Sequence, residues 1–137
     1  MATFTKFEKF VEALASKKHN LGSDQLKVAL SNTLPNSATA GELADITEIV
    51  YTNLSARDLT TSSAGQTSGT YKLVLDDLVL TASGGAVAAF RYVIIYNDTA
   101  ANDDLICFYD YGSTINMVDG EDLTLDFSAS LGLLQLV

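Results

Sequence analysis

Very few residues of this chain combine a reactive side chain with a partner at a useful spacing. The sequence contains one histidine, His19, and one cysteine, Cys107. His19 lies in KKHNLG, with no obvious cysteine or acidic partner for a catalytic dyad. A zinc site needs clustered cysteine and histidine ligands, which the sequence lacks. We therefore expect a solvated His19 at the end of a helix, where the helix dipole favours a cation. We expect Cys107, within LICFY, to be a buried apolar residue that forms no intrachain disulfide.

Acidic residues occur in three short clusters. None of them has the calcium-loop spacing D-x-[DN]-x-[DN]-G-x5-E. The segment NDTAANDD could hold calcium through backbone carbonyls, but a solvated turn is the simpler interpretation. We therefore expect no metal site. The clusters are Asp76–Asp77, Asp103–Asp104 and Asp119–Glu121–Asp122.

The motifs that mark common reaction centres are absent from the sequence. It contains no G-x-x-x-x-G-K-[ST], G-x-S-x-G or G-x-G-x-x-G, and Ser83-Gly84-Gly85 fits a turn better than a phosphate-binding loop. Two carboxylates could still serve glycoside hydrolysis. Sugar-cleaving sites usually carry aromatic platforms, however, and the chain has no tryptophan. We expect a protein that is not an enzyme and that binds no cofactor.

One arginine lies within an otherwise aromatic and β-branched run, FRYVIIYND (90–98). Pairing this run with LICFYDYG through the loop 98–103 places Arg91 directly opposite Asp110 and apolar residues opposite one another on the same face. A slip of one residue would mix the two faces. We predict a cross-strand ion pair between Arg91 and Asp110 that marks the register of a buried hairpin.

The length and composition of the chain indicate one ordinary domain, residues 1–137. Apolar residues make up 47% of the chain, enough for a real core, and the net charge is −9. Such a charge disfavours binding to nucleic acid and to anionic membranes. The charge is uneven, because residues 1–30 carry +2 and residues 71–137 carry −8. The chain begins without the apolar segment of a signal peptide and has no stretch that could span a bilayer, so we expect synthesis in the cytoplasm and release, if any, by cell lysis.

The amino-terminal segment has the periodicity of an amphipathic helix. Phe7, Phe10, Val11 and Leu14 form one apolar stripe over residues 3–17, and Thr3 or Thr5 could cap its start. Two interpretations remain open: a helix that packs on its own domain, or an arm, residues 1–19, that docks on a neighbouring subunit.

Everything after Asn20 is typical of β structure, with short strands separated by turns. This spacing indicates a mainly β fold, residues 20–137, as an antiparallel β-sandwich or jelly-roll-like barrel with one amino-terminal α-helix. The expected elements are a strand at 24–31, a loop at 32–41, a short strand or helical turn at 42–51, one weak strand and a mobile loop at 52–70, two strands or one kinked strand at 71–82, a turn at 83–86, strands at 89–97 and 104–112, a strand, Asp-Gly turn and strand at 113–127, and a short strand at 131–137.

Several long segments resemble small virion proteins of tailed bacteriophages, in particular head decoration (cement) proteins. They are MATFTKFEKFVEALASKKHNLGSDQLKVALSNTLP, ADITEI, GTYKLVLDDLVLTASGGAVAAFRYVIIYNDTAANDDLICFYDYGS and GEDLTLDF. The resemblance covers most of the chain, is weakest between residues 52 and 68, and contains no reactive motif. It implies a non-enzymatic structural protein on the virion surface that binds the lattice of major capsid protein, often as a homotrimer.

For such a protein, the expected contact regions are the helix and the 52–70 loop. The candidate contact residues are Phe4, Phe7, Phe10, Lys6 and Lys9. Two alternatives remain open: a tail, baseplate or fibre component of the virion, and a carbohydrate-binding β-sandwich that uses some of the six tyrosines and six phenylalanines.

Overall fold

The computed structural model describes residues 2–137. Strands make up 43% of the chain and helix 8%, so the predicted mainly β fold with antiparallel sheets and one α-helix is confirmed. The elements are β1 (Thr3–Lys6), α1 (Glu8–Ala15), β2 (Leu26–Ser31), a 3-10 helix (Leu43–Asp45), β3 (Thr61–Thr67), β4 (Thr70–Leu75), β5 (Leu78–Thr81), β6 (Phe90–Asn97), β7 (Leu105–Ile115), β8 (Asp122–Leu125) and β9 (Leu134–Leu136).

A four-stranded antiparallel sheet, in the order β1-β7-β6-β2, forms the centre of the molecule. Almost every residue of β6 is buried, which shows that the sheet is covered on both faces. On one face Phe108 of β7 packs against Phe7, with ring centroids 5.2 Å apart. On the other face Tyr109 packs against Phe127, with centroids 6.2 Å apart. The segment that enters α1 and the segment that follows β8 therefore cover opposite faces of this sheet.

Two smaller antiparallel sheets complete the sandwich-like fold. One has the order β3-β4-β9 and the other pairs β5 with β8. The break between β4 and β5 falls at Asp76 and Asp77, as the sequence predicts. Asp77 has a structural task there, because its carboxylate accepts a hydrogen bond from the backbone N–H of Phe127 at 2.8 Å.

The amino-terminal helix is shorter than predicted. Residues 3–6 form β1 and pair with β7, and the helix begins only at Glu8. Neither Thr3 nor Thr5 caps it, since the N-cap residue is Phe7 and makes no side-chain capping bond. The alternation of threonine and aromatic residues suits a strand, and the edge of β7 supplies the partner that a lone segment lacks. The first residues are thus part of the central sheet.

The region at 52–70 contains the first strand and the turn of a hairpin where a weak strand and a mobile loop were predicted, and the register of the hairpin shifts between Thr61 and Ser63. β3 pairs with β4 through a two-residue turn, Ser68-Gly69. Both turn residues have positive φ, 50° and 85°. This is the conformation of the type I′ turn that matches the twist of paired strands. β3 buries little of its surface, so its sequence is rich in serine and threonine and lacks the alternating apolar residues that predict a strand.

The strand, Asp-Gly turn and strand predicted at 113–127 are confirmed in part. β7 continues to Ile115, and no strand lies between it and β8. The Asp119-Gly120 turn exists, with the N–H of Glu121 bonded to the carbonyl of Val118. β8 pairs with β5 instead of with the residues before the turn. The local turn was readable from the sequence, but the choice of partner strand depended on the rest of the core.

Candidate interaction surfaces

Arg91 and Asp110 form the predicted ion pair, but they are not directly opposite each other. Arg91 Nε donates to Asp110 Oδ1 at 2.8 Å and Nη2 donates to Oδ2 at 3.2 Å. The residue opposite Asp110 is Tyr92, because the β6–β7 register shifts by one between Tyr96 and Ile95. The predicted register is therefore correct only at the loop end of the hairpin.

A bulge in β7 explains how the pair forms despite the shift. Between the pairs Tyr92–Asp110 and Phe90–Ile115, β6 has the single residue Arg91 while β7 has the four residues 111–114. Gly112, within the bulge, has a φ of +82°, and its N–H donates to Asp110 Oδ1 at 2.8 Å. Asp110 thus stabilises the bulge by bonding both to Arg91 of β6 and to the backbone of Gly112 within the bulge. The hydrogen bond from Arg91, and secondarily that from Gly112, lowers the pKa of Asp110.

Two of the five candidate contact residues belong to the core. Phe7 and Phe10 are fully buried, so the prediction that they contact a partner protein is wrong. Val11, predicted to share their stripe, is 53% exposed, and Ala13 is buried in its place. The helix packs on its own domain because its short length and its turn from β1 direct Phe7 and Phe10 into the sheet.

The other three candidates, Phe4, Lys6 and Lys9, are exposed. Phe4 is 41% exposed and stands edge-on to Tyr109, with ring centroids 5.5 Å apart. Within the described residues, neither Lys6 nor Lys9 forms an ion pair. Lys9 lies on α1 next to Gly41 and Asp45, so β1 itself offers one aromatic ring and one free cation.

β1 is also a free edge of the central sheet. The N–H of Phe7 bonds to the carbonyl of Ile106, the residue that follows in the register after the pair Lys6–Cys107. Since bonded and non-bonded pairs alternate in an antiparallel ladder, the backbone groups of Phe4 and Lys6 point away from β7. Along the described chain, no other backbone group pairs with them. We call Phe4, Lys6 and this outward-facing backbone the β1 edge.

A second exposed surface lies on the β3–β4 hairpin. β3 is an edge strand with mostly exposed residues, and β9 forms the opposite edge of the same sheet. Leu136 of β9 and the carboxy-terminal Val137 are also exposed. The surface is mainly hydroxyl-bearing and carries few charges.

An aromatic cleft of about 390 Å³ lies between the central sheet and the segment after β7. Tyr109, Tyr111 and Phe127 line it together with the carboxylate-bearing Asp126. Neither tyrosine hydroxyl bonds to another group within residues 2–137. Burial raises the pKa of both tyrosines. From the sequence alone, the aromatic residues of this cleft could not be distinguished from residues of the hydrophobic core.

His19 is buried, which corrects the prediction that it is solvated. Its ring packs 5.1 Å from that of Phe10, and its Nδ1 lies 3.0 Å from the side-chain amide nitrogen of the buried Asn97. Burial lowers the pKa of His19 despite the nearby carboxylates of Asp104 and Asp24. Sequence reasoning missed Asn97, because nothing local links two residues 78 positions apart.

Asp104 is a further buried polar residue of this region. Its carboxylate lies 3.7 Å from the ammonium group of Lys18. These two residues line a shallow cleft of about 400 Å³ between α1 and the 3-10 helix. Asp45, on the far wall, accepts hydrogen bonds from the N–H groups of Gly41 and Glu42, which lower its pKa.

The third acidic cluster and the cysteine have structural surroundings. In residues 2–137, no group of three histidine, cysteine or acidic side chains is placed to hold a metal ion. Asp119 accepts from the N–H of Gly84, and Asp122 accepts from the hydroxyl of Thr81, so these acids organise turns and strand ends. Cys107 is fully buried as predicted, and burial raises the pKa of its thiol. None of the helices in the described chain is long and apolar enough to cross a membrane.

The sequence matches no protein-family model, and neither a curated protein nor a solved structure is similar to it.

Proposed function

We propose that this chain is a non-enzymatic structural protein of a tailed-bacteriophage virion that binds the assembled capsid and stabilises it. The bacteriophage assignment is supported by the resemblance of the long segments quoted above. The β1 edge is the single structural observation that supports binding to the capsid. It combines unpaired backbone groups, an exposed aromatic ring and a free cation at one end of the central sheet.

A free edge strand is a ready site for pairing with another chain. Aromatic residues are enriched at the centres of protein interfaces, where they bury a large apolar area. Lys6 adds a positive charge to the β1 edge of a protein whose net charge is −9, so this edge suits an acidic patch on the capsid. Binding of many copies to a lattice multiplies a modest contact by avidity.

The resemblance further implies that the partner is the major capsid protein and that the chain assembles as a homotrimer. In this proposal the protein is made in the host cytoplasm and ends on the capsid surface. It needs no cofactor and contacts neither nucleic acid nor membrane.

The test is addition of purified protein to capsids of the encoding phage that lack it, followed by co-sedimentation and electron microscopy. We expect saturable binding at regular capsid positions. Phe4→Ala should weaken binding at least tenfold, because it removes the exposed ring of the β1 edge. Val50→Ala is the matched control, since Val50 is 69% exposed and lies outside the β1 edge. Thermal unfolding of both variants establishes that the fold is retained.

A second pair of variants tests the backbone of the β1 edge. Lys6→Gln and Lys6→Pro both remove the charge, but only proline also removes the outward-facing N–H. If the capsid adds a strand to this edge, Lys6→Pro should bind more weakly than Lys6→Gln. Equal binding by all four variants and the unaltered protein would reject the β1 edge as the contact, and failure to bind capsids would reject the proposal itself.

Labelling the protein on intact virions separates the head from the tail. Label on tails, baseplates or fibres with none on heads would favour the alternative of a tail component.

The aromatic cleft favours a second candidate function, that of a carbohydrate-binding module. Tyrosine rings with free hydroxyls beside a carboxylate can contact both the apolar face and the hydroxyls of a sugar ring. A glycan array probed with the isolated protein tests this function. Saturable binding that is lost in Tyr111→Ala would support it.

A further inference from the structure

Asn97 is held in one orientation by four contacts. Its Oδ1 accepts hydrogen bonds from the backbone N–H groups of Thr99 at 3.0 Å and Ala100 at 3.1 Å. Its Nδ2 donates to Asp24 Oδ2 at 2.6 Å and lies 3.0 Å from His19 Nδ1. A flipped amide would place its oxygen against the Asp24 carboxylate and its NH₂ group against two N–H donors. The amide orientation is therefore set by partners other than His19.

This orientation determines the protonation state of His19. Because the Asn97 NH₂ group is a donor, His19 Nδ1 must accept, and the proton of the neutral ring lies on Nε2. An imidazolium carries a proton on both nitrogens, so its Nδ1–H would point at the NH₂ group. Charging His19 thus removes one hydrogen bond and places two donors against each other.

The groups around the His19 ring have opposite effects on its pKa. Asp104, just before β7, and Asp24, in the turn at 20–25, favour the charged form, while Lys18 disfavours it. The ring is 7% exposed and packs on Phe10. Its Nε2 is buried without a hydrogen-bond partner in the described chain. Burial is the largest effect and lowers the pKa of His19 below its ordinary value of 6.5.

The network joins two segments that are distant in sequence. Asp24 Oδ2 also accepts from the N–H of Asn20 at 2.7 Å. The N–H of Gln25 donates to the hydroxyl of Thr99 at 2.8 Å, and the N–H of Asp98 donates to the carbonyl of Gln25 at 2.9 Å. The turn at 20–25 is thereby tied to the loop at 98–103 that connects β6 to β7.

We propose that His19, Asn97 and Asp24 form an acid-sensitive latch, in which protonation of His19 breaks its contact with Asn97 and releases the 98–103 loop from the 20–25 turn. Well above pH 6.5 the ring is neutral in both the closed and the open state, so the closed state keeps its full preference. As the pH falls from 6.5 towards the lower pKa of the closed state, the open state binds the proton more tightly. The preference for the closed state then falls by up to about tenfold per pH unit.

The first test uses nitrogen NMR shifts of the imidazole in the intact protein. At pH 7.5 we expect a neutral ring with its proton on Nε2. A ring protonated on Nδ1, or one that titrates with an ordinary pKa and leaves its neighbours unchanged, would overturn the latch. This measurement needs no substitution.

The second test is hydrogen exchange between pH 7.5 and 5.5, corrected for the intrinsic exchange rates. Protection of the Thr99 and Ala100 amides should fall with pH, while that of the Ile94 amide in the core of β6 stays constant. His19→Gln, which cannot ionise, should abolish the pH dependence. Asp103→Asn is the matched control, because Asp103 lies in the same loop and burial raises its pKa. If Asp103→Asn abolishes the pH dependence and His19→Gln does not, the trigger is Asp103 and the proposal is wrong.

Discussion

Arg91 holds Asp110 with two nitrogens, and the same carboxylate oxygen that accepts from Arg91 Nε also accepts from the N–H of Gly112. The aspartate therefore links an arginine on β6 to the bulge of β7. Its role is to fix the course of β7 where the two strands lose their regular pairing.

Replacing Asp110 should destabilise the protein more than replacing Arg91. Asp110→Ala removes both the ion pair and the acceptor of the Gly112 N–H, whereas Arg91→Ala removes only the ion pair. The two side chains are 28% and 37% exposed, so solvent and salt weaken the pair itself. Urea unfolding of the two single variants and the double variant gives the coupling. Equal destabilisation by the two single variants would contradict the role of Asp110 in the bulge.

The pKa of Asp110 reports the same pair. It should lie below 3.8 in the unaltered protein and rise in Arg91→Ala, while remaining lowered by the Gly112 N–H. Because the pKa is lowered in the folded state, the stability from Asp110 is present above about pH 4 and is lost as the pH falls through the folded pKa. Carbon NMR titration of the carboxylate measures both values. An unchanged pKa in Arg91→Ala would mean that the pair does not form in solution.

Phe7 and Val11 should respond very differently to truncation, although the sequence places both on one apolar stripe. Phe7→Ala should cost about 3–5 kcal/mol, the usual loss for a fully buried phenylalanine. Val11→Ala should change stability by less than about 0.5 kcal/mol, as is typical of exposed sites. Chemical denaturation measures both values, and a large loss in Val11→Ala would contradict the observed orientation of α1.

Gly132 is a position where only glycine fits. It has a φ of +77°, and a β-carbon there would lie 2.5 Å from the backbone oxygen of Leu73. Gly69 has a φ of +85°, but a β-carbon there would meet no atom within 4 Å. Both Gly132→Ala and Gly69→Ala carry the cost of positive φ, so the additional loss in Gly132→Ala isolates the clash. Equal melting temperatures for the two variants would show that β4 and the carboxy-terminal segment can move apart.

The thiol of Cys107 should be inert in the folded protein. It is fully buried, and burial raises its pKa, which keeps it in the unreactive thiol form. Reaction with a thiol-specific reagent at pH 8 should occur only at the rate of unfolding, and it should become rapid in denaturant. Fast modification under native conditions would show that β7 opens locally.

Hairpin and strand positions could be predicted wherever the chain itself carries the pattern. The segments 90–97 and 104–111 predict β6 and β7 because they are rich in aromatic and β-branched residues. The Arg91–Asp110 pair followed from opposite charges near the open end of this hairpin. Between Ile95 and the bulge of β7, the predicted register of the hairpin is wrong by one residue. The alternation of side chains along a strand does not reveal where an extra, bulged residue lies.

The candidate functional residues were less predictable. Phe4, Phe7 and Phe10 look alike in sequence, yet Phe4 is half-exposed and the other two are buried. Whether residues 3–6 are helix or strand depended on the edge of β7, which lies some 100 positions away. Local propensity cannot include such a partner.

By itself the sequence determined the fold class, because alternating apolar residues and frequent turn residues leave antiparallel sheets as the way to bury this core. It also determined that Cys107 is an apolar residue. It predicted the contact between Arg91 and Asp110, but the bulge of β7 that brings them together was decided by the tertiary structure. Only the tertiary structure decided which edge is free, which aromatic rings are exposed and that His19 is buried against Asn97. These features arise from contacts between segments far apart in the chain, and no local pattern records them.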